Sequence, residues 1–556
     1  MDTSPNRPYY RFFLSLTLIL LLILLIRIGF VIHSQSPQRK TYTDPLVSKE
    51  VVRGTLYDRN GKILAIQTPY WGVYFHLTMI DDLPLVSEVV APFVGMSPQQ
   101  IEQQAGNYTT YAQIKKRIDP TQVPLLLAEL KRTSLTKQVS VVKSMGRDYP
   151  ASFHASQTIG FTNIDNEGSE GVELTQEAFL NPYPAIGSDK STYGQDITLT
   201  LDIDIQYLLD VQLQNIADEH NPDYAVAIVL DAQNGDILGM SSYPWYDPNA
   251  LSKSTDIQKR NHVANYLYEP GSVFKVFSLS AVMEAGQADL DEPFLCDGSY
   301  TFSMGKDANA TIVCTSPHGL VDPNTMIAKS CNGAISHWAM QTDPALFYAT
   351  LNRFGFNVSY DIGLPSKTRS FIADPSSWSG RSEATISFGQ ELSTTALHLA
   401  VAATAFTNGG EVLQPHLILK RSDANDDSVL YRRERTVIDR AISAEVADAI
   451  LLAMEDATKS GGTAIAVAVA GVRVGAKTGT SQIMNPETNS YEDGTVLAST
   501  LAIVPLDKPR YIIYVAAGNP KGDTQWGSNI AAPAIGKIIE SLVSQGKVVS
   551  DRSGKR

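Results

Sequence analysis

One long apolar segment near the N-terminus constrains the chain more than any other feature. Residues 12–26 are apolar except for Ser15 and Thr17, and after one arginine the apolar character continues to Ile32. As an α-helix this segment would span roughly 30 Å, about the thickness of one hydrocarbon core. The sequence shows no second segment of this kind, so it predicts a single transmembrane anchor at residues 12–32.

The predicted anchor divides the chain into very unequal parts. We expect a short tail at residues 1–11, a polar linker at 33–50, and the rest of the chain on the other side of the membrane. Basic residues flank the segment on both sides, so charge alone does not settle its orientation. A rival interpretation is a cleaved signal peptide, because Ser34-Gln35-Ser36 has the small-x-small form of a cleavage site. The apolar segment is long for such a peptide, which favours the anchor.

Composition excludes several classes of protein. With 556 residues, 43% hydrophobic and 19% charged, the chain is long enough for two or more packed domains and is not of a disordered type. Its net charge of −13 argues against nucleic acid as a partner. Three cysteines are too few for a disulfide framework, and H-E-x-x-H and C-x-x-C patterns are absent. We therefore predict no metal site and no cofactor.

The pattern of apolar runs predicts two domains after the linker. Residues 51–195 alternate short β-like runs with turns, including a hairpin signal at Asn60-Gly61, and predict a β-rich domain. Residues 196–545 predict a second domain, followed by a polar tail at 546–556.

The second domain has strand patterns at both ends and helical patterns between them. Two strands, then helices, then three strands and a final helix indicate one sheet assembled from both ends and covered by helices. The predicted strands are 224–230, 236–242, 472–483, 496–504 and 511–517, after a strand-like run at 197–201, and the predicted helices are near 273–285, 324–340, 394–408, 443–458 and 531–545, with another that Asp204 caps.

Three short motifs that carry chemistry follow one another along this domain. They are S-x-x-K at Ser272 and Lys275, S-x-N at Ser330 and Asn332, and K-T-G at Lys477–Gly479. Together they form the signature set of penicillin-binding proteins and serine β-lactamases.

Context separates Ser272 from other S-x-x-K occurrences in the sequence, one of which is Ser544 with Lys547. Glu269-Pro270-Gly271 precedes it and an apolar run follows, which predicts a helix that begins at this point. Ser272 would then lie at a helix N-terminus, where backbone N–H groups favour developing negative charge.

The i, i+3 spacing places Lys275 on the same helix face as Ser272. A serine hydroxyl needs an adjacent base to act as a nucleophile. A lysine serves as that base when burial and a second cation, for which Lys477 is the candidate, depress its pKa.

The K-T-G motif lies on a predicted strand whose edge a peptide substrate can join. The hydroxyls of Thr478 and Thr480, with Lys477, are candidates to hold a carboxylate, and Gly479 is expected to let substrate backbone approach closely. The N–H groups of Ser272 and Thr480 are expected to form an oxyanion hole.

On these motifs the chain resembles a class B penicillin-binding protein from about residue 51 to 545. The Glu-Pro-Gly-Ser form before the nucleophile favours the division type over the elongation type. Further motifs that carry the resemblance are Arg53-Gly54, Asp58-Arg59-Asn60-Gly61, Arg147-x-Tyr149-Pro150, Gly168-x-x-Gly171-Val172-Glu173 and Leu199-Thr200-Leu201-Asp202.

The resemblance implies a multidomain α+β fold: a single N-terminal transmembrane helix, a β-rich pedestal domain, and a transpeptidase domain with an antiparallel five-stranded sheet covered by helices. It also implies a role for each motif residue. Ser272 is the acylated nucleophile, Lys275 its base, Ser330 the proton donor to the leaving amine and Asn332 the ligand of the substrate amide, while Lys477, Thr478, Gly479 and Thr480 bind the terminal carboxylate end.

The implied activity is a serine D,D-transpeptidase of the bacterial inner membrane with its catalytic domain in the periplasm. Its substrates would be peptidoglycan stem peptides ending in D-Ala-D-Ala, and β-lactams would acylate the same serine. A glycosyltransferase and other division proteins are the implied partners.

Several alternatives remain open. The protein is alternatively a D,D-carboxypeptidase that uses water as acceptor, or a β-lactam sensor or division scaffold whose catalysis is dispensable. Cys331 with His318 is a rival nucleophile and base, although a lone buried cysteine is more often inert packing. Cys296 and Cys314 are able to pair as a disulfide outside the cytosol.

Overall fold

The computed structural model describes Leu21 and residues 51–183, 192–304, 308–485 and 490–550. The described residues from 51 to 550 pack as one compact unit. The predicted tail, anchor and linker, apart from Leu21, lie outside the described residues, as does the end of the predicted C-terminal tail. Among the described residues, no helix has the length and apolar character needed to cross a membrane.

A five-stranded antiparallel sheet forms the centre of the second half of the chain, as predicted. Both ends of the domain supply its strands because the hairpin near residue 234 pairs with the last strand. In sheet order the strands are Gly475–Asn485, Ser490–Val504, Tyr511–Gly518, Tyr224–Asp231 and Ile237–Tyr243.

Side chains alternate between two hydrophobic cores across this sheet. Val226 and Ile228 face one core, and Ala225 and Ala227 face the other, as the two-residue period of a strand requires. All eight residues of Tyr511–Gly518 are buried, so helices cover both faces. The nucleophile candidate lies on a helix of the first core.

A seven-stranded sheet joins the predicted pedestal to the segment that follows it. Leu56–Tyr57 pairs in parallel with Asp196–Leu199, which begins just after the predicted boundary at residue 195. The strands of this sheet are, in order, Val429–Arg432, Ile418–Ser422, Asp196–Leu199, Leu56–Tyr57, Ile63–His76 and Tyr111–Ile118, and Val139–Asp148 also pairs with Ile63–His76.

The remaining described strands form two-stranded pairs. These are Val51–Val52 with Thr192–Tyr193, Phe294–Cys296 with Gly319–Val321, Ser299–Ser303 with Asn309–Val313, Phe371–Ile372 with Leu392–Ser393, and Glu411–Leu413 with Val437–Arg440.

The pedestal region contains α-helices that the sequence interpretation missed. The segment Leu83–Val94 is rich in valine, which is typical of a strand, but signals at its two ends make it a helix. Asp82 accepts a hydrogen bond from the backbone N–H of Leu85 at the start, and Gly95 ends the helix with a φ of +64°. Val86, Val90 and Val94 then recur at a spacing of four residues and are buried against the pedestal strands. The pedestal is therefore mixed α/β.

Two predicted helices differ in detail from the observed ones. The helix predicted near 324–340 is two helices, because Ser330 has a φ of +60°, which no α-helix accommodates. The first long helix of the domain is capped by Asp202, whose side chain accepts N–H bonds from Asp204 and Ile205, and not by Asp204 itself.

The α-helices of the described residues are Leu83–Val94, Pro98–Ala105, Gln122–Arg132, Ser156–Ile159, Gly171–Thr175, Glu177–Leu180, Ile203–His220, Asp256–Lys259, His262–Asn265, Lys275–Ala285, Pro323–Lys329, Asn332–Ala339, Pro344–Arg353, Ser382–Ser387, Ala396–Ala402, Thr404–Thr407, Ala444–Asp456 and Ala531–Ser544.

Candidate active site

The nucleophile candidate Ser272 lies at the start of a buried helix. A 3₁₀ turn, Gly271–Phe274, leads directly into the α-helix Lys275–Ala285, at the position that the sequence predicts. Val273 and Phe274 are buried, whereas Ser272 is half-exposed and lines a cleft. Free N–H groups and the positive end of the helix dipole favour negative charge that develops there.

Two glycines hold this turn against a neighbouring loop. Gly271 has a φ of +56° and donates its N–H to the carbonyl of Gly389 over 3.0 Å. A Cβ built on Gly389, whose φ is +89°, would lie 2.1 Å from the Gly271 carbonyl oxygen. Any side chain at residue 389 would push its loop away from Gly271. The two glycines therefore hold the backbone turn that carries Ser272 in place.

The ammonium nitrogen of Lys275 connects two of the three motifs directly. Its Nζ lies 2.7 Å from Ser272 Oγ, 3.1 Å from Ser330 Oγ and 2.6 Å from Asn332 Oδ1. It also donates to the backbone carbonyl of Ser330 over 2.9 Å. Lys275 is 0% exposed, so its amine is held at the position from which it can take the Ser272 proton.

The S-x-N motif is held in a strained backbone between two helices. Ser330 ends the helix Pro323–Lys329 in the left-handed conformation, and Asn332 begins the next helix. The amide nitrogen of Asn332 donates to the Val313 carbonyl over 3.0 Å, while its Oδ1 accepts from Lys275. Asn332 therefore positions Lys275, and one N–H of its amide is left for a substrate.

Lys477 completes the group of polar side chains from the opposite side. It is 0% exposed, and its Nζ donates to Ser330 Oγ over 2.9 Å and to the Thr478 carbonyl over 2.8 Å. Ser330 Oγ therefore lies between two lysine amines. Among the described residues, neither lysine forms a salt bridge.

Because neither lysine has a salt-bridge partner among the described residues, burial dominates the pKa of both amines. Burial lowers the pKa of Lys275 to about 7. Burial, and after it the nearby Lys275 charge, lowers the pKa of Lys477 well below its usual range. The neutral amine of Lys275 is thus accessible near neutral pH, which is the condition for a lysine to act as a general base.

We expect the acylation of Ser272 by a β-lactam to become faster as pH rises through about 7. The Lys275 amine is charged below its depressed pKa and neutral above it, and only the neutral form accepts a proton. Between about pH 6 and pH 8 the neutral fraction rises roughly tenfold. The measurement is the second-order rate constant of labelling by a fluorescent penicillin, corrected for hydrolysis of the reagent.

Lys275→Arg is the matched control, since a guanidinium stays charged across this range and cannot act as the base. It should label very slowly at every pH. A rate constant for the unmodified chain that is flat or falls with pH would exclude Lys275 as the base.

The strand Gly475–Asn485 forms one edge of the five-stranded sheet and one wall of the cleft. Thr478 and Thr480 line the cleft, and their hydroxyls bond Thr463 Oγ1 over 2.9 Å and the Gly527 N–H over 3.2 Å. An edge strand leaves unpaired backbone groups for a peptide to join.

Gly479 permits a close contact within the protein, whereas the sequence suggests a close approach of the substrate backbone. A Cβ at this position would lie 2.9 Å from Val273 Cγ2 and 2.8 Å from Ser499 Oγ. The glycine therefore lets the strand pack against the turn that carries Ser272. The lack of a side chain at Gly479 therefore determines how close the strand lies to the nucleophile, in addition to how closely a substrate can approach.

The cleft between these elements has a volume of about 430 Å³. Beyond the motif residues Ser272, Ser330, Asn332 and Thr478–Thr480, it is lined by residues that sequence reasoning missed, because they follow no motif spacing. These are Thr315, Lys329, Thr463, Trp526 and Ser528. Trp526, which is 53% exposed, offers an apolar face to a ligand, and Lys329 adds a positive charge at the rim.

The rival Cys331–His318 pair has poor geometry for catalysis. Cys331 is fully buried and does not line the cleft. Its Sγ accepts the Ala334 N–H at the start of a helix and lies 3.8 Å from Cys314 Sγ. Cys296 and Cys314 are free thiols in this structure, with their sulfurs 3.7 Å apart.

Two family matches cover most of the described chain. Residues 225–540 match the family described as penicillin-binding protein transpeptidase domain. Residues 48–184 match the penicillin-binding protein dimerisation domain. The first match contains all three motifs that surround the cleft.

Individual relatives are similar to this chain over most of their length. The probable peptidoglycan D,D-transpeptidase PenA of Neisseria meningitidis is 28% identical over 88% of this chain and 83% of the relative. Stage V sporulation protein D of Bacillus subtilis is 28% identical over 89% and 78%. A crystal structure of penicillin-binding protein 3 from Mycobacterium tuberculosis with aztreonam has a TM-score of 0.70 at 24% identity, covering 90% and 97%, and supports the fold.

Proposed function

The chain belongs to the class B penicillin-binding proteins, and on this premise we propose that it is a membrane-anchored serine D,D-transpeptidase of septal peptidoglycan synthesis. Residues 12–32 would anchor it in the bacterial inner membrane, with the catalytic domain in the periplasm. The observation that carries the proposal is the position of Lys275 Nζ, in contact with Ser272, Ser330 and Asn332 at once.

In the first half of the reaction, Ser272 Oγ attacks the carbonyl of the penultimate D-alanine of a stem peptide. Its proton passes to the neutral Lys275 amine 2.7 Å away. The N–H groups of Ser272 and Thr480 hold the oxyanion, each donor contributing on the order of 3 kcal/mol. The terminal D-alanine leaves as the C–N bond breaks, and its amine takes the proton held by Lys275 through Ser330 Oγ, which leaves Lys275 neutral again.

In the second half, an amine of a neighbouring stem peptide attacks the acyl-enzyme. As the new C–N bond forms, the amine gives a proton to the neutral Lys275 amine. The C–O bond to Ser272 then breaks, and Lys275 returns that proton to Ser272 Oγ. The new amide is the cross-link. Ser330 suits the transfer because its hydroxyl lies between the amines of Lys275 and Lys477, at 3.1 and 2.9 Å. β-Lactams present a strained amide to the same serine and stop at the acyl-enzyme.

The substrate carboxylate is assigned to the end of the cleft next to the K-T-G strand. Thr478 and Thr480 present hydroxyls there, Lys329 supplies positive charge at the rim, and the Lys477 amine holds Ser330 Oγ beside them. The edge strand Gly475–Asn485 pairs with the peptide backbone, which orients the scissile bond over Ser272.

Cross-linking by the full-length chain in detergent tests this function. Supplied with lipid-linked precursor and a partner glycosyltransferase, it should yield peptide dimers whose donor has lost its terminal D-alanine, and pretreatment with a β-lactam should abolish them. The readout is chromatography of the digested product with mass spectrometry.

The alternatives give different products. Monomers trimmed by one D-alanine, without dimers, would identify a D,D-carboxypeptidase. Labelling by penicillin without either product would favour a sensor or a division scaffold. For the septal role, depletion in cells should give filaments, and rounded cells would contradict it.

A further inference from the structure

Four side chains with metal-binding atoms meet beside the active-site cleft. Cys296 ends a strand, Cys314 and His318 lie in the loop before Gly319–Val321, and Cys331 separates the two helices of the S-x-N region. Their three sulfurs and one ring nitrogen all lie within 4.8 Å of one another. These are all the cysteines of the chain, brought together from separate segments.

Three of the six distances among these atoms match the edges of a tetrahedron around one ion, and the other three are at most 4.8 Å. With Zn–S bonds of about 2.3 Å and a Zn–N bond of about 2.05 Å, a tetrahedral site has S···S edges of about 3.8 Å and S···N edges of about 3.5 Å. The observed Sγ separations are 3.7 Å for Cys296–Cys314 and 3.8 Å for Cys314–Cys331, and Cys296 Sγ lies 3.5 Å from His318 Nδ1.

Backbone N–H groups point at two of the sulfurs. Gly333 donates to Cys314 Sγ over 3.3 Å, and Ala334 donates to Cys331 Sγ over 3.4 Å. Both donors lie in the first turn of the helix Asn332–Ala339. Such donors stabilise the negative charge of a thiolate, as the outer contacts of metal ligands do.

The segments that carry the four groups are also tied to one another by backbone bonds. His318 N–H donates to the Cys296 carbonyl over 3.2 Å, and Cys314 N–H donates to Gly298 over 2.9 Å. The ligand atoms are thus converged by the fold itself. A disulfide between Cys296 and Cys314 would use two of them and leave the third thiol and the imidazole without a role.

We propose that Cys296, Cys314, His318 and Cys331 bind one Zn²⁺ in a closed tetrahedral site. Three thiol sulfurs and one imidazole form a ligand set of structural zinc, and with four protein ligands no position is left for water or substrate. Binding releases the thiol protons to solvent, so three thiolates and one Zn²⁺ leave a net charge of −1.

The site would act on catalysis by positioning. Cys331 lies between Ser330 and Asn332, and the Asn332 amide bonds the carbonyl of Val313, the neighbour of Cys314. An ion held by Cys314 and Cys331 therefore fixes the S-x-N segment against the adjacent strand. The four ligands are positioning residues because, among the described residues, the hydrogen bonds of the Lys275 amine go to Ser272, Ser330 and Asn332 and not to them.

Metal content of the full-length chain, purified in detergent without chelators, tests the proposal. We expect close to one zinc per chain by mass spectrometry of the metal. His318→Ala should weaken zinc binding at least about tenfold, as loss of even outer contacts does, and Cys314→Ser should do the same. The matched control is His337→Gln, a partly exposed histidine of the same region that lies outside the cluster.

A second measurement uses only the wild-type chain and therefore does not depend on the folding of a variant. Reconstitution of the wild-type chain with Co²⁺ should give thiolate-to-cobalt charge transfer and the intense visible bands of tetrahedral coordination. Octahedral spectra, absence of zinc, two thiols lost to a disulfide, or zinc retained by both cluster variants would each overturn the proposal. Because metal is read directly, the outcome is independent of whether the chain cross-links peptides.

Discussion

Ser272→Ala should abolish covalent labelling by fluorescent penicillin, a fall of at least about 10³-fold, the scale that accompanies loss of a nucleophile acting with its base. The reason is chemical, since the substitution removes the proposed nucleophile, the hydroxyl oxygen that lies 2.7 Å from Lys275 Nζ. Gel fluorescence of the purified chain at matched concentration is the measurement.

The fold should survive this substitution. Ser272 is half-exposed, so the change leaves no cavity in the core, and the helix Lys275–Ala285 is held by buried residues such as Phe274 and Phe277. An unchanged melting temperature would show that the loss of labelling is chemical.

Ser544→Ala is the control for this experiment. Ser544 and Lys547 have the same S-x-x-K spacing, but Ser544 Oγ bonds the Ser541 carbonyl and Lys547 bonds Asp202, away from the cleft. Labelling should be unaffected there. If label persisted in Ser272→Ala, the acyl group would have to lie on another residue and the assignment would fail.

The sequence was most informative where local chemistry decides the structure. Strands such as Tyr511–Gly518 follow from apolar runs bounded by turn residues, and Pro270 marks the start of the nucleophile helix. The i, i+3 spacing of Ser272 and Lys275 places them in contact on any helix, so this pair was predictable without tertiary information.

Features that depend on contacts distant in sequence could not be predicted. The positive φ of Ser330 breaks a pattern that reads as one continuous helix, and the role of Gly479 depends on Val273, which is far away in the chain. The cysteine cluster has separations of 18 and 17 residues that match no common metal motif. Only the short Cys314-x-x-x-His318 pairing was a local signal for it.

A buried ionic network in the pedestal region unites three motif residues of the resemblance. Glu173 is 0% exposed and accepts from Arg53 over 2.6 Å and from Arg147 over 2.6 Å through its two oxygens. Arg147 also donates to the Gly54 carbonyl, and Arg53 also contacts the half-exposed Glu177. Glu173 is therefore the central anion between two buried cations.

Glu173→Gln should destabilise the folded chain by about 3–5 kcal/mol, because it leaves the buried Arg147 without its carboxylate partner, while Arg53 keeps Glu177. Glutamine has nearly the volume of glutamate, so the loss reports charge and not a cavity. The expected fall in melting temperature is about 3–5 °C, because the unfolding entropy of a unit of roughly 500 residues is about 1 kcal/mol/K. Thermal unfolding followed by limited proteolysis, with the cut sites mapped by mass spectrometry, locates the opening in the pedestal.

Glu129→Gln supplies the same chemical change at an exposed pair in the same region, where Arg132 lies on the next helical turn. It should leave the melting temperature nearly unchanged, because solvent screens surface ion pairs. If Glu173→Gln behaved like this control, the network would contribute nothing measurable. If the melting temperature falls for Glu173→Gln and not for Glu129→Gln, then the motif residues Arg53, Arg147 and Glu173 stabilise the fold of the pedestal. The catalytic role would then belong to the residues of the cleft around Ser272.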